Sequence, residues 1–345
     1  MSLSVALTGI HIASSPGSGA AVSKVLGDDR SLGLIGLVDY PQSCALAWRQ
    51  VFSAVYLVPQ AVDGFSALMD RIIDVHQHHR AIDVLIPCSD DDVLACSNLQ
   101  QQLSLAGVHT LLPPPSAVLR VRKENLGEAM LSAGLRVAKV SQMLAPYCQH
   151  QVSFDYPVVV KGKMCDAYIA VDPSQCLAMA TRIADTWGDP VIVQEFIEGD
   201  EFSIMAVADR HNRVCGVCSL RKLGITEKGK TWSGYTIESP ELEHIAGRIC
   251  RAIRWVGPLE IECIREEKTG QYVIIEINPR LPAWVRVSTA AGANLPHLVV
   301  DLALGNIVES PVRANAAVAF VRNCFMSAFP ISRMGELVAS GKVEL

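Results

Sequence analysis

One stretch of this sequence places acids and amides at alternating positions: Leu259-Glu260-Ile261-Glu262-Cys263-Ile264-Arg265-Glu266-Glu267, then Lys268-Thr269-Gly270, then Gln271-Tyr272-Val273-Ile274-Ile275-Glu276-Ile277-Asn278. It predicts a β-hairpin with a three-residue loop ending in Gly. With Thr269 at the centre of the turn, residues equidistant from it face each other, so Glu262 lies opposite Glu276. By the period of two, Glu260 and Asn278 share their face, and Ile261, Cys263, Val273, Ile275 and Ile277 form a core on the other. Directly opposed carboxylates destabilise a ladder unless something neutralises them. Two carboxylates and an amide oxygen are hard donors, suited to Mg²⁺ bound jointly with nucleotide phosphates. The plainer alternative is a solvated acidic face.

Basic residues recur at intervals before and after this hairpin. Tyr156-Pro157-Val158-Val159-Val160-Lys161 reads as a strand ending in a lysine, and Val191 to Glu201 as a strand, a break and a new strand. Lys123 opens a helical segment, with Arg122 as an equal candidate. Arg221 and Lys222 begin a basic, Gly-containing stretch running to Tyr235, which suits either a phosphate-facing lid or a plain hairpin loop. Any one of these taken alone would be an ordinary surface charge.

Their order changes that, because it resembles the ATP-grasp superfamily. The metal hairpin of that superfamily ends in Glu-x-Asn-x-Arg, matched here by Glu276-Ile277-Asn278-Pro279-Arg280, and the similarity spans residues 115–305. The resemblance implies that Glu262 and Glu276 are the metal carboxylates, that Asn278 completes the site, and that Arg280 lies beside the transferred phosphoryl group. It implies Lys123 and Lys161 on the phosphates and the backbone of Glu195, Phe196 and Ile197 against adenine. Glu201 takes the ribose hydroxyls, with Glu198 as a rival. Arg221 or Lys222 is then the cation for the γ-phosphate. By location, Trp284 and Arg286 are candidates for the acceptor pocket, Arg286 as a second carboxylate clamp. The sequence departs from the family at Lys161-Gly162-Lys163-Met164-Cys165-Asp166, where one glycine stands in place of a Gly-rich phosphate loop and Lys163 offers a side-chain charge instead.

The implied reaction is ATP-dependent ligation: a carboxylate is phosphorylated to an acyl phosphate and joined to an amine, with ADP and phosphate released. The cofactors are ATP and Mg²⁺, with Mn²⁺ an admissible substitute. Two alternatives stay open: activation of bicarbonate or carbamate, and a nucleotide-binding regulatory protein with a degenerate phosphate loop.

The elements that must hold these residues follow from periodicity. Val5–Ile10, Leu34–Asp39, Val55–Pro59, Val84–Cys88 and Thr110–Pro113 are short apolar runs separated by helix-length segments, the signature of an open parallel α/β sheet over residues 1–115. A helix over Ser116–Gly134 leads into an ATP-grasp unit over 116–310, its first lobe 116–198 and its second 199–310. Strands there follow one another with few helices between, Pro173–Trp187 and Pro240–Trp255 being the clear ones. Residues 311–345 form a C-terminal extension in which Ala316–Phe325 reads as a strand.

Half of the 345 residues are hydrophobic and 19% are charged, which excludes disorder. A net charge of −5 excludes a basic nucleic-acid footprint, and no apolar stretch is long enough for a membrane span. Eleven irregularly spaced cysteines and no signal peptide predict a reducing cytoplasm without disulfides. Cys215 and Cys218 are expected on opposite faces of a strand, which argues against a paired metal role. The expected partners are small-molecule carboxylates and amines, and a second copy of the chain in a dimer.

Overall fold

The computed structural model describes residues 2–10, 17–143, 155–162, 166–226, 229–323 and 326–345, with no account of the side chains of 142 and 143. Lys163 and most of the loop after the first β-strand therefore lie outside the described residues. Strands β1 (Leu3–Leu7), β2 (Leu32–Val38), β3 (Phe52–Leu57) and β4 (Val84–Ile86) are mutually parallel. β5 (Val140–Met143), β6 (Val158–Lys161), β7 (Ala167–Ala170) and β8 (Val191–Glu195) form a small antiparallel sheet in the order β5-β8-β6-β7.

β9 (Gly199–Ala208), β10 (Val214–Ile225), β11 (Thr231–Ile237), β12 (Gly257–Glu266) and β13 (Tyr272–Asn278) build the large sheet. β14 (Val312–Arg313) pairs with β10 and β15 (Ala319–Val321) with β11. β16 (Lys342–Glu344) returns to the first sheet and pairs antiparallel with β3, so the order there is β16-β3-β2-β1-β4. The observed class is the expected one: an open parallel sheet domain followed by two α+β lobes.

Several local expectations give way. Thr110–Pro113 adds no strand to the first sheet, where only His109 makes an isolated bridge to Val84. The run leads into three consecutive prolines, which have no N–H to donate to a ladder. The single helix over Ser116–Gly134 is two, Pro115–Arg120 and Leu126–Ser132, and Lys123 sits in the break between them. The Asn125 amide caps the first helix by donating to the Leu119 carbonyl at 2.9 Å. The C-terminal residues contribute strands to both major sheets.

Two bulges overturn the simple alternation of faces. In the hairpin Glu262 faces Glu276 as the turn predicts, but Cys263 faces Ile274, because the loop is four residues, Glu267–Gly270, and Ile275 is extra. One unpaired residue reverses parity on its strand. Ile274 therefore joins the main core, while Val273 and Ile275 turn with Ile264 and Ile197 toward the opposite side. A second irregularity at Cys215 places Cys215 and Cys218 in one apolar cluster rather than on opposite faces. Both are buried, free thiols.

The large sheet and the first domain share their cores. The helix Pro240–Ile253 buries Leu242, Ile245, Ala246, Ile249, Cys250 and Ile253 on one stripe, continuous with the apolar face of the first domain. At Gly257 (φ +89°) an added Cβ would stand 2.4 Å from the Leu111 carbonyl oxygen, which lets β12 start against the first domain. The small sheet has a separate core, in which Cys176, Ala180 and Ile183 of helix Pro173–Trp187 cover Val158, Val160, Val191 and Val193.

The small lobe meets the hairpin through few contacts. Ala138 N–H donates to Ile274 O at 2.9 Å, and the Gln194 amide donates to the carbonyl of the bulged Ile275 at 2.9 Å. Arg136 pairs with Glu266, and hydrogen bonds from Arg136 and Thr269 hold the Glu266 carboxyl down at about 2. Gln194 is buried, so Gln194→Leu should cost roughly 1–3 kcal/mol by leaving the Ile275 carbonyl unpaired, measured by urea unfolding. A depressed carboxyl contributes stability above its unfolded value of 4.5 that fades as pH falls toward about 2. Glu266→Gln should flatten the stability profile over that interval, and unfolding measured across pH in both proteins checks it.

Candidate active site

A cavity of about 1470 Å³ is walled by the small sheet, the hairpin and the loops that follow β2 and β4. Glu195, Phe196, Ile197, Glu198 and Glu201 line one end, and Asp39, Tyr40 and Asp90 line the other. Ile197, Ile264 and Ile275 supply an apolar surface beside the first end, the last because of the bulge. Glu195 is turned to the lobe junction, where its carboxylate accepts from Lys139 N–H at 3.1 Å. The Glu198 carbonyl is tied to Glu267 N–H at 2.9 Å.

Between the two ends, cations and carboxylates interleave. Lys161 at the end of β6 and Lys123 in the helix break approach the two oxygens of Glu276, at 3.6 and 3.5 Å. Lys123 also donates to the Gly162 carbonyl at 3.2 Å. Lys222, almost wholly buried, bridges Glu262 at 2.5 Å and Glu201 at 3.1 Å. Burial pulls the Lys161 ammonium down despite Glu276, whereas Glu262 and Glu201 outweigh burial at Lys222 and raise it. Burial pushes the Glu276 carboxyl up, but Lys123, Lys161, Lys222 and Arg280 bring it to about 2.

Glu260 gathers the chain that leaves the hairpin. Its Oε1 accepts from the Trp284 indole N–H at 2.6 Å, and its Oε2 from Asn278 Nδ2 at 3.0 Å and Arg280 Nη1 at 3.1 Å. Burial and the neighbouring Glu262 raise its carboxyl. Arg280 reaches on through Nε to Asp90 at 3.2 Å, at the start of a first-domain helix whose N-cap is Ser89. Trp284 is thus both buried and part of the cavity wall.

Not every expected residue arrives. Arg221 precedes Lys222 on the same strand, so it turns to the other face and pairs with Asp200 at 2.5 Å. Of the two readings of the stretch to Tyr235, the strands give a hairpin, β10 running to Ile225 and β11 beginning at Thr231, and Ile225, Thr226, Gly229, Lys230 and Thr231 line the cavity. Arg286 is exposed on the helix Arg286–Ala290 and lies 3.7 Å from Asp28, away from the cavity. Two wall residues carry no signal in the linear pattern: Gln194, and Arg322, which reaches the cavity beside Thr231, donating to its carbonyl at 3.2 Å.

The donor set fits a hard divalent cation. Glu262 and Glu276 stand in register, and Asn278 spends its Nδ2 on Glu260 and Glu262 (3.0 and 3.3 Å), which leaves its amide oxygen as the donor atom. Among the described residues no group of three or more His, Cys, Asp or Glu side chains could hold a metal alone. A cation here would share its ligands with phosphate oxygens, as Mg²⁺ ordinarily does.

A parallel open-sheet domain followed by two α+β lobes that enclose a cavity lined by lysines and a carboxylate hairpin is the ATP-grasp fold. Residues 188–324 match the family described as ATP-grasp in the biosynthetic pathway with Ter operon. Among solved structures, the L-amino acid ligase of Bacillus licheniformis is similar with a TM-score of 0.66 at 14% identity, over 88% of this chain and 75% of that one. The biotin carboxylase domain of the 2-oxoglutarate carboxylase of Hydrogenobacter thermophilus gives 0.68 at 14%, over 90% and 72%. Acetyl-CoA carboxylase 2 of Oryza sativa subsp. japonica is 34% identical over 100 residues, which is 29% of this chain and 4% of that protein. The chain thus spans a small fraction of that carboxylase's length.

Trp284→Phe should leave buried Glu260 short of one donor and cost roughly 1–3 kcal/mol in urea unfolding. In Glu260→Gln the same substitution should cost less, and the difference read from a double-mutant cycle measures the indole–carboxylate bond.

Proposed function

We propose that the protein is a Mg²⁺- and ATP-dependent ligase that phosphorylates a substrate carboxylate and joins the acyl group to an amine, with Mn²⁺ an admissible replacement. The observation that carries this reading is the convergence of Lys123, Lys161, Lys222 and Arg280 on Glu260, Glu262 and Glu276, beside Asn278, at one cavity wall. Phosphoryl transfer asks of a protein chiefly positioned charge around the moving group. Lys123 and Lys161 bind the phosphates, and Lys222 holds Glu201 and Glu262 in place. The segment Glu195–Glu198 and the isoleucines beside it receive the base, and Glu201 or Glu198 the ribose. A divalent cation on Glu262, Glu276 and the Asn278 oxygen supplies neutralisation of the phosphate oxygens.

Arg280 orients the substrate carboxylate, one oxygen of which attacks the γ-phosphorus. The bond to the β-phosphate oxygen breaks and ADP departs. The amine nitrogen then attacks the acyl carbon, phosphate leaves, and the amine proton passes to solvent. Trp284 and the loops after β2 and β4 bound the acceptor end. The similar domain of Hydrogenobacter thermophilus was solved as a dimer with MgADP and bicarbonate. It motivates a homodimeric assembly here and, as a second reading, bicarbonate as the acid that is activated.

With Mg²⁺-ATP, at least one pool drawn from amino acids, hydroxy acids, other amines and bicarbonate should raise ADP release above background. Glu276→Gln should slow that release by about 10²-fold or more in a protein that still unfolds cooperatively. Silence in every pool despite ADP binding, or full activity in Glu276→Gln, would reject the ligase reading.

A further inference from the structure

Of the three hairpin acids on the cavity wall, Glu262 and Glu276 hold the cation on the proposed reading, and Glu260 has no task in the reaction. It is 4% exposed and stands two residues from Glu262 on the same strand, which costs both desolvation and repulsion. A neutral side chain of like volume would cost the fold less, so stability alone does not account for a carboxylate here. In register Glu260 sits between Met205 of β9 and Asn278 of β13, and its donors come from β13 and the chain that follows it. The Trp284 indole N–H donates to Oε1 at 2.6 Å, while Asn278 Nδ2 and Arg280 Nη1 both donate to Oε2, at 3.0 and 3.1 Å. One oxygen thus joins the amide whose Oδ1 is offered to the cation and the guanidinium that faces the acid.

An amide has a donor end and an acceptor end, and its hydrogen-bond partners decide which way each points. Asn278 Nδ2 also reaches Glu262 Oε1, at the longer distance of 3.3 Å. On the proposed reading Glu262 is itself a cation ligand, so Glu260 is the acceptor left to keep Nδ2 turned away from the cation. We propose that Glu260 is a positioning residue: its Oε2 fixes the Asn278 oxygen toward the cation and holds the Arg280 guanidinium in a set relation to it. The proposal rests on the ligase reading above and adds the group that aligns its two halves, phosphate-side and acid-side. Glu260→Gln sets one acceptor and one donor against three donors. With its amide oxygen toward Trp284, its NH₂ meets Asn278 and Arg280, and Asn278 escapes only by turning its own oxygen from the cation. With that oxygen toward Asn278 and Arg280 instead, the NH₂ opposes the indole N–H. Trp284→Phe removes this opposition and lets the amide oxygen serve both partners as Oε2 does.

Two measurements on the full chain test this. Equilibrium dialysis against Mn²⁺ in the presence of ADP reads the Asn278 amide without turnover, and ADP release from saturating Mg²⁺-ATP with the most active substrate pool reads the aligned site. Glu260→Gln should retain Mn²⁺ about tenfold less tightly and lower kcat by about tenfold or more. Adding Trp284→Phe should recover most of both losses, a repair that a merely structural role would not give, since two weakened contacts would then add their damage. Wild-type behaviour in Glu260→Gln overturns the proposal, and so does a loss in either measurement that Trp284→Phe leaves unrepaired. Should Glu260→Gln alone fail to fold, the double variant decides: folded and near wild type in both measurements it supports the positioning role, and folded but impaired in either it overturns it. If wild type retains no Mn²⁺ with ADP and releases ADP from no pool, the ligase reading fails and the positioning role with it, a result separate from any difference among the variants.

Discussion

The repulsion between Glu262 and Glu276 is the constraint around which the rest of the molecule is arranged. A hairpin register fixes them opposite each other, and three separate segments bring the compensating charge: the helix break at Lys123, the end of β6 at Lys161 and β10 at Lys222. Because Lys161 belongs to the small lobe, the same attraction that relieves the hairpin draws the lobes together. The apolar contact between them is slight, built on Ala138, Ile197 and Val273 with Ile264 and Ile275 at its margin. Charge, more than buried area, thus sets how the small sheet sits over the hairpin.

Burying so many ionised groups is a poor route to stability, since desolvation offsets most of the attraction and an apolar substitute of like volume often serves as well. The carboxylate of Glu260 illustrates the cost. It lies two residues from Glu262, which repels it, and it needs Trp284, Asn278 and Arg280 as donors. The ordinary core backs the same hairpin, through Ile261, Cys263, Ile274 and Ile277, and continues in the clusters shared by the first domain and the large sheet. Apolar burial on one face thus anchors a charged arrangement on the other that would be unfavourable on its own.

What the sequence makes legible follows the range of the interactions involved. The facing of Glu262 and Glu276 is read from a three-residue loop, and it holds because the longer loop and the extra Ile275 offset each other. Helices Pro173–Trp187 and Pro240–Ile253 declare themselves by an N1 proline and an apolar stripe. The bulges at Ile275 and Cys215 are not readable in this way, because each answers a mismatch with a neighbouring strand that no local pattern records. Parity then misassigns Val273, Ile274 and Ile275. It also separates Arg221 from Lys222, which alternation alone could have done had the strand been carried past Leu220. The placement of Lys342–Glu344 beside β3 and the approach of Arg322 to the cavity join segments far apart in the chain.

The two ends of the cavity differ in the same sense. The end lined by Glu195 to Glu201 is made by consecutive strands of the two lobes, so its residues keep a sequence order that a family pattern can match. The other end is made by Asp39, Tyr40 and Asp90 of the first domain meeting Arg280 and Trp284 from beyond the hairpin. Arg280 is already shared there, with Nη1 on Glu260 and Nε on Asp90. On the proposed reading, a substrate carboxylate that engages this guanidinium must compete with one of those partners. Asp90 is the more exposed of the two and lies on a separate domain, so it is the contact that yields at lower cost. On that same reading the first domain, through Asp90, bears on how Arg280 is presented to a substrate.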